Sequence, residues 1–218
     1  MNFLERSYSG QKFRPKPFIK IDASHSQIVI ATSWGASDVA EKAADFILEQ
    51  LGFLAEPERT SPHQYIEGLT PSGNRLKIAV QMINEKLTNI ENRNEYQVGL
   101  ELVALTLDQG TLSWVHIGSP HILLSSKKGL QPLAYSPDWA WQIHQDSPLL
   151  CNSLGVERSV HVDLGSYDIK KDQSLVLVSR SYIPGSFYSA SEPELSQLSQ
   201  ILVEDSPETP FWLGVLHF

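Results

Sequence analysis

The feature that most constrains this chain is a pair of long apolar segments separated by a short polar turn. Gly99–Leu107 and Thr111–Ile117 flank Asp108-Gln109-Gly110, and this spacing is typical of an antiparallel β-hairpin. His121–Ser125 and Leu130–Leu133 follow with a similar arrangement and predict a second hairpin. Strands that follow one another as hairpins build antiparallel sheets, so we expect this part of the chain to be antiparallel.

Two amphipathic helices precede these hairpins. Helical spacing of apolar residues predicts one over 37–51, with Ser37 as its cap, and a second over 74–90. Residues 1–17 are expected to be irregular. Further strands are predicted at Phe18–Asp22, Ile28–Ala31, Val160–Leu164, Ser174–Ser179 and Phe211–Phe218, with a third helix over 192–203. This order predicts an α+β sandwich with helices packed outside antiparallel sheets.

Length and charge exclude several classes of protein. The chain has 218 residues, enough for one well-filled core, so we expect a single domain over 1–218. Its net charge is −8 and the sequence shows no basic stripe, which argues against a nucleic-acid binder. No apolar run approaches the roughly 18 residues of a membrane span, and residues 1–10 carry no apolar signal core. We therefore expect a cytoplasmic protein that binds neither nucleic acid nor membrane.

Cysteine and histidine patterns point to no further chemistry. Cys151 is the one cysteine, so no disulfide forms within the chain and no zinc spacing exists. A lone cysteine is usually a small buried hydrophobe, and the alternative of a nucleophile requires a nearby base. The seven histidines form no HxxxH or HExxH motif.

Five segments carry a resemblance to a known family. They are Ile28–Ala36, Ala40–Ala44, Gly99–Leu105, Leu112–His121 and Asp172–Ser181. In this order they resemble the strand before Asp-Gly-Met-Gly-Gly, the helix opening with Glu-x-Ala-Ser, and the segments Gly-Thr-Thr-Leu-Val-Ala, Gly-Asp-Ser-Arg and Ser-Asp-Gly of the PPM, or type 2C, serine/threonine phosphatases. The resemblance covers nearly the whole chain.

The resemblance implies a four-layer αββα sandwich, in which two antiparallel sheets are flanked by helices. It also implies a chemistry. Active relatives hold two Mn²⁺ or Mg²⁺ ions with aspartates at one edge of the sandwich, and the metals activate a water for attack on a phosphoester.

The aspartates of that metal site are replaced here. Thr32 stands where the family has the aspartate that follows its first long strand. Ser119 stands where the family has the aspartate of Gly-Asp-Ser-Arg. Arg180 replaces the aspartate of Ser-Asp-Gly, and Arg14-Pro15-Lys16 falls on the N-terminal Asn-Glu-Asp, with Lys16 at its aspartate. Glu208 is the one position that keeps a carboxylate. The family arginine that grips phosphate aligns near Gln11.

These replacements predict that no metal cofactor binds. Mg²⁺ and Mn²⁺ require oxygen ligands, and anionic carboxylates supply most of the protein's share. Hydroxyls and cations do not offset the repulsion between two divalent ions roughly 3.5–4 Å apart. We therefore predict a catalytically inactive pseudophosphatase that acts as a regulatory, binding or scaffold module.

Two alternatives remain open. One is an active hydrolase with unrecognised ligands, drawn from the carboxylates Asp22, Asp38, Asp163, Asp168 and Glu208. The other is a metal-free sensor of an anionic ligand, bound at the site mouth by three donor-bearing residues, Lys16, His121 and Arg180. Against the sensor stands a simpler interpretation, in which Arg180 is a surface residue paired with Glu208.

A protein partner is expected for a binding module. Aromatic residues are enriched at interface hot spots, and they concentrate in two predicted loops, 137–141 and 182–188. Core packing under long loops is the competing explanation for each single residue.

Overall fold

The computed structural model describes residues 2–24, 26–36, 38–56, 63–135, 152–191 and 193–218. Cys151, the predicted cap Ser37 and the aromatic segment 137–141 lie outside the described residues.

Strands dominate the described residues. They are β1 (Asn2–Tyr8), β2 (Phe18–Ile21), β3 (Gln27–Gly35), β4 (Val98–Asp108), β5 (Thr111–Ile117), β6 (His121–Ser126), β7 (Gly129–Ala134), β8 (Asp163–Asp168), β9 (Ser174–Ser179) and β10 (Phe211–His217). The helices are α1 (Val39–Ala55), α2 (Pro71–Lys86), α3 (Gly185–Tyr188) and α4 (Leu195–Asp205), and a π-helical turn at Leu87–Glu91 extends α2. Both predicted hairpins, β4–β5 and β6–β7, are confirmed.

The chain forms two compact units. Residues 17–117 and 152–169 make the first, which contains a five-stranded antiparallel sheet in the order β2-β3-β4-β5-β8. Both long helices pack on one face of it. Alternate strand residues such as Val29 and Leu102 join Ile47 of α1 and Leu76 of α2 in one buried apolar cluster. Spacings of two in the strands and of three to four in the helices place these residues on facing surfaces.

Residues 1–16, 118–151 and 170–218 make the second unit. Its described strands form a five-stranded antiparallel sheet in the order β1-β10-β9-β6-β7. Leu198 and Leu202, one helical turn apart on α4, pack with Val178 of β9 and Leu213 of β10 in a second buried cluster. The α+β class is therefore confirmed, whereas a single domain over 1–218 stays a prediction.

The prediction that residues 1–17 are irregular is wrong, because residues 2–8 form β1. This strand pairs with β10 alone, so that Asn2 lies opposite His217 and Tyr8 opposite Phe211. Its mixed polar sequence carries no alternation that would announce a strand. Pairing with a segment about two hundred residues away stabilises it instead.

Several predicted boundaries also move. Helix α2 begins at Pro71 rather than residue 74, because the Thr70 side chain accepts a hydrogen bond from the Gly73 backbone N–H and proline suits the first helical position. Strand β8 begins at Asp163 rather than Val160, since its bounds follow its pairing with β5. Helix α1 runs four residues beyond the predicted end, and α4 spans Leu195–Asp205 rather than 192–203.

Within the parts of the chain that the structure describes, no helix has both the length and the apolar composition needed to cross a membrane.

Candidate functional site

An arginine and three serines form a hydrogen-bonded cluster where β9 ends and β6 begins. Arg14 Nε donates to Ser179 Oγ at 2.9 Å, and Arg14 Nη1 donates to Ser181 Oγ at 3.2 Å. Ser119 Oγ donates to Ser179 Oγ at 2.9 Å. Ser119 and Ser179 are almost fully buried. The cluster therefore places one guanidinium among three hydroxyls.

Strand pairing and the N-terminal segment bring these residues together. Ser179 is the last residue of β9, and Ser119 lies two residues before β6, which pairs with β9. Arg14 follows β1 in a segment held near 207–210: the Gln11 N–H donates to the Glu208 carbonyl at 2.8 Å. Gly10 permits this approach, because its φ is +54° and a Cβ there would lie 2.5 Å from that carbonyl oxygen.

Arg14 is the functional candidate that sequence reasoning missed. The resemblance aligned it with an asparagine and aligned the phosphate-gripping arginine near Gln11. The structure instead brings the Arg14 guanidinium beside Ser119 and its neighbour Ser179. No local pattern marks this residue, since its serine partners lie 165 and 167 positions away along the chain.

Arg180 is buried rather than exposed, which corrects the sequence interpretation. The side chain is 1% exposed and reaches the C-terminal end of α4. Nη2 donates to the Leu202 carbonyl at 3.1 Å, and Nη1 lies 3.1 Å from Asp205 Oδ2. The predicted pairing with Glu208 is wrong, because Asp205 is the carboxylate that α4 presents. Burial lowers the pKa of Arg180 from its ordinary value, although nearby Asp205 acts to raise it.

The two other residues of the expected anion site have their own contacts. Lys16 is exposed and lies 3.4 Å from Glu5 Oε1, while the other oxygen of Glu5 accepts a hydrogen bond from Trp212 Nε1 at 2.7 Å. His121 is buried and does not lie at an open mouth. Its Nε2 is 3.2 Å from the Arg180 carbonyl oxygen, so that nitrogen carries the proton, and its ring stacks on Tyr135. The structure therefore directs Lys16 and Arg180 toward different carboxylates.

Thr32 belongs to the other compact unit and lies on the buried part of β3. Its Oγ1 has no hydrogen-bond partner among the described residues. Glu101 of β4 lies opposite Thr32 in the strand register, and Trp34 Nε1 donates to Glu101 Oε2 at 2.8 Å. Glu101 is a buried carboxylate that sequence reasoning did not single out, because it sits within an otherwise apolar strand.

The carboxylates of the active-hydrolase alternative have separate partners. Asp22 accepts hydrogen bonds within its own turn, and Asp38 pairs with Lys42. Asp163 contacts two histidines, His116 and His161. Asp168 accepts from Thr111, and Glu208 is exposed.

The donor set does not fit the family's two-metal centre. The side chains in the second unit at the predicted aspartate positions are a buried hydroxyl, Ser119, and a cation that faces α4, Arg180. Beside them stands a second cation, Arg14, whose charge repels a divalent ion. In the described ranges, no group of three or more His, Cys, Asp and Glu residues could hold a metal ion. That the family's aspartates align with these positions stays a prediction.

No protein-family model matches this sequence, and no curated protein matches it. Solved structures do match. PppA, "a key regulatory component of T6SS in Pseudomonas aeruginosa", has a TM-score of 0.68 at 15% identity, covering 100% of this chain and 97% of that one. The serine/threonine phosphatase PstP/Ppp of Mycobacterium tuberculosis has a TM-score of 0.65 at 14% identity, covering 100% and 99%.

A third similar structure is the PPM Ser-Thr phosphatase MsPP from Mycobacterium smegmatis in complex with cacodylate, with a TM-score of 0.67, 18% identity and coverage of 100% and 98%. These identities are low, and the similarity extends over full chains on both sides. The chain thus has the fold of the PPM-type serine/threonine phosphatases.

Proposed function

We propose that this protein is a catalytically inactive, PPM-like pseudophosphatase that works by binding a protein partner. The observation that carries the proposal is the Arg14 guanidinium held by Ser179 and Ser181, beside Ser119. An arginine keeps its positive charge in proteins. At an effective dielectric constant of 20, it would repel a divalent ion about 4 Å away by about 8 kcal/mol. The cluster therefore disfavours the ions on which hydrolysis in this family depends.

A regulatory role is the part of the proposal that draws on the similar structures. PppA is described as a regulatory component, and a fold that has lost its metal ligands can still present its surfaces to a partner. The cytoplasmic location inferred from the sequence stays a prediction.

A second candidate function, a metal-free sensor of a small anion, is favoured by one pocket. A cavity of about 270 Å³ is lined by three cations, Lys12, Arg14 and Lys16. Ser7 and Tyr8 also line it. For this candidate we propose Arg14 rather than Arg180 as the anion-binding residue, because a planar guanidinium suits phosphate or carboxylate and Arg14 lines this cavity.

Activity measurements test the first candidate. We expect no Mn²⁺-dependent hydrolysis of p-nitrophenyl phosphate or of a phosphopeptide by the full chain, and no gain in the Ser119→Asp variant, whose new carboxylate would lie close to Arg14. Turnover that EDTA abolishes and that persists through successive purification steps would contradict the proposal.

Thermal shift measurements with phosphate separate the two candidates. For a sensor, inorganic phosphate raises the melting temperature by mass action, and Arg14→Ala removes the gain. A matched control is Arg93→Ala, which removes an exposed arginine elsewhere and should leave the gain intact. If phosphate changes the melting temperature of neither the natural protein nor Arg93→Ala, the sensor is excluded and the partner-binding proposal stays in place.

A further inference from the structure

The second compact unit carries a large groove at the opposite end of its sheet from the Arg14 cluster. The groove has a volume of about 1360 Å³, and Ser125, Ser174 and His217 line it. Ser174 is the first residue of β9, whereas Ser179 of the cluster is the last. Five residues of extended strand separate these ends by roughly 17 Å. The groove is therefore distinct from the candidate site.

Three cations line the groove. Arg6 projects from β1, Lys127 lies in the turn between β6 and β7, and Lys170 precedes β9. All three are exposed, and none forms an ion pair with any residue that the structure describes. Three unneutralised cations in one groove are unexpected on a chain with a net charge of −8. Their convergence favours an anionic ligand.

Polar residues at one side of the groove are hydrogen-bonded to each other. The Ser174 backbone N–H donates to Ser125 Oγ at 2.7 Å, and Ser174 Oγ lies 2.8 Å from His217 Nδ1. Ser125 is 4% exposed, and its hydroxyl has no acceptor among the described residues. A buried hydroxyl that only accepts leaves its hydrogen available to donate into the groove.

The N-terminus of α4 forms one wall. Leu195 and Ser196, the first residues of this helix, line the groove. Glu194 at the cap position makes no side-chain capping hydrogen bond, so the first N–H groups of the helix have no partner from the cap. Helix N-termini favour phosphate and carboxylate through these N–H groups and the helix dipole.

Two carboxylates, Asp172 and Glu194, also line the groove, so its described residues carry three cations against two anions. That balance disfavours an extended polyanion and suits one localised anionic group. The volume exceeds the roughly 300–1,000 Å³ typical of small-molecule pockets. Leu4, which is 44% exposed, and Pro193 supply apolar surface beside the cations. These features together match a peptide that bears one phosphate.

We propose that this groove binds a peptide segment carrying a phosphorylated serine or threonine, with the phosphate held by Arg6, Lys127 and Lys170 near the start of α4. A phosphate brings a charge of about −2 and three acceptor oxygens, which exceeds what an aspartate or glutamate side chain offers. The proposal names the class of partner and holds whether or not the Arg14 cluster hydrolyses phosphoesters.

Fluorescence anisotropy on the full chain tests it, with EDTA present so that binding alone is measured. The probe is a fluorescein-labelled pool of heptapeptides with phosphoserine at the centre and mixed residues elsewhere, compared with the same pool lacking the phosphate. We expect a Kd at least tenfold lower for the phosphorylated pool. The variant Arg6→Ala/Lys127→Ala/Lys170→Ala should weaken that binding at least tenfold.

A matched variant controls for overall charge. Arg93→Ala/Lys128→Ala/Arg158→Ala removes three exposed cations outside the groove, including the neighbour of Lys127, and should change the Kd less than twofold. Circular dichroism confirms that both variants fold. Equal binding of the two pools, or equal losses in the two variants, would overturn the proposal. Two further results would overturn the assignment to a peptide. One is stronger binding to phosphatidylserine vesicles than to the peptide, lost in the groove variant. The other is displacement of the peptide by inorganic phosphate whose inhibition constant equals the Kd of the peptide.

Discussion

Arg14 and Arg180 both lie next to the end of β9, yet their guanidinium groups have different partners. Arg14 donates hydrogen bonds to two serine hydroxyls. Arg180 is held by a carbonyl and a carboxylate of α4 and acts as a tie between β9 and this helix. We propose a functional role for Arg14, whereas the contacts of Arg180 with α4 indicate a structural one.

Replacing Arg180 should therefore destabilise the fold. Arg180→Ala leaves Asp205 without its cation, removes the second hydrogen bond to the Leu202 carbonyl, which also accepts from the Ser206 N–H, and opens a cavity. We expect the free energy of unfolding to fall by about 3 kcal/mol, measured by urea denaturation. Arg180→Asp, which the resemblance suggests as a repair of the metal site, should be worse because it sets a carboxylate against Asp205.

Lys16→Ala is the control for this measurement. Lys16 and Glu5 form an ion pair in which the lysine side chain is 58% exposed, and exposed pairs contribute about 0–1 kcal/mol. If Arg180→Ala is as stable as Lys16→Ala, then the contacts of Arg180 with α4 contribute little to the free energy of unfolding.

At the scale of elements, the turn between β2 and β3 depends on one carboxylate. Asp22 Oδ1 accepts hydrogen bonds from the backbone N–H groups of Ser26 at 2.8 Å and Gln27 at 2.6 Å. Its Oδ2 accepts from the Ser24 N–H at 3.0 Å. Burial acts to raise the pKa of Asp22, but the hydrogen bonds outweigh it and hold this pKa below its ordinary value. The charged form therefore stabilises the hairpin.

This lowered pKa predicts a pH dependence. A depressed folded-state pKa contributes stability that is fully present above the unfolded value, near pH 4, and is lost as the pH falls through the folded value. Asp22→Asn should lower the free energy of unfolding by about 1 kcal/mol at neutral pH, and the difference should shrink below pH 4. Urea denaturation at neutral pH and near pH 3 measures both.

Glu49→Gln, on the exposed side of α1, removes one negative charge away from this turn and serves as the control. If Asp22→Asn lowers the free energy of unfolding by the same amount at both pH values, then the turn does not depend on the charge of Asp22.

Two buried asparagines organise another element, the segment before β8. Asn84 of α2 donates to the Glu157 and Arg158 carbonyls and accepts from the Gly155 N–H. Asn92 donates to the Gly155 and Val98 carbonyls. Side-chain amides here satisfy backbone groups of the segment before β8 and at the first residue of β4. Nothing in the helical pattern around residue 84 distinguishes this asparagine from one facing water.

At the scale of the whole molecule, the proposed loss of the metal site predicts that divalent ions do not change the stability of the fold. Anything that binds the folded state alone raises its stability by mass action. We expect millimolar Mn²⁺ or EDTA to shift the melting temperature by no more than about 1 °C, with an active PPM phosphatase as the positive control. A rise that grows with Mn²⁺ concentration and that EDTA reverses would revive the hydrolase alternative.

The sequence alone determined the elements whose evidence is local. Apolar periodicity located both hairpins and both long helices, because alternation and helical spacing reflect which side of an element is buried. The order of five short motifs identified the fold, which the structural comparisons confirm. The same motifs predicted which residues stand in place of metal ligands.

Tertiary structure decided which partner each polar side chain meets. Arg14 reaches Ser179 across 165 positions, Arg180 turns toward Asp205 rather than Glu208, and β1 exists through its pairing with β10. Such contacts depend on how distant strands pair and on which way a side chain leaves the backbone. The spacing of residues along the sequence predicts neither the pairing of distant strands nor the direction of a side chain, because these contacts form only when separate segments meet.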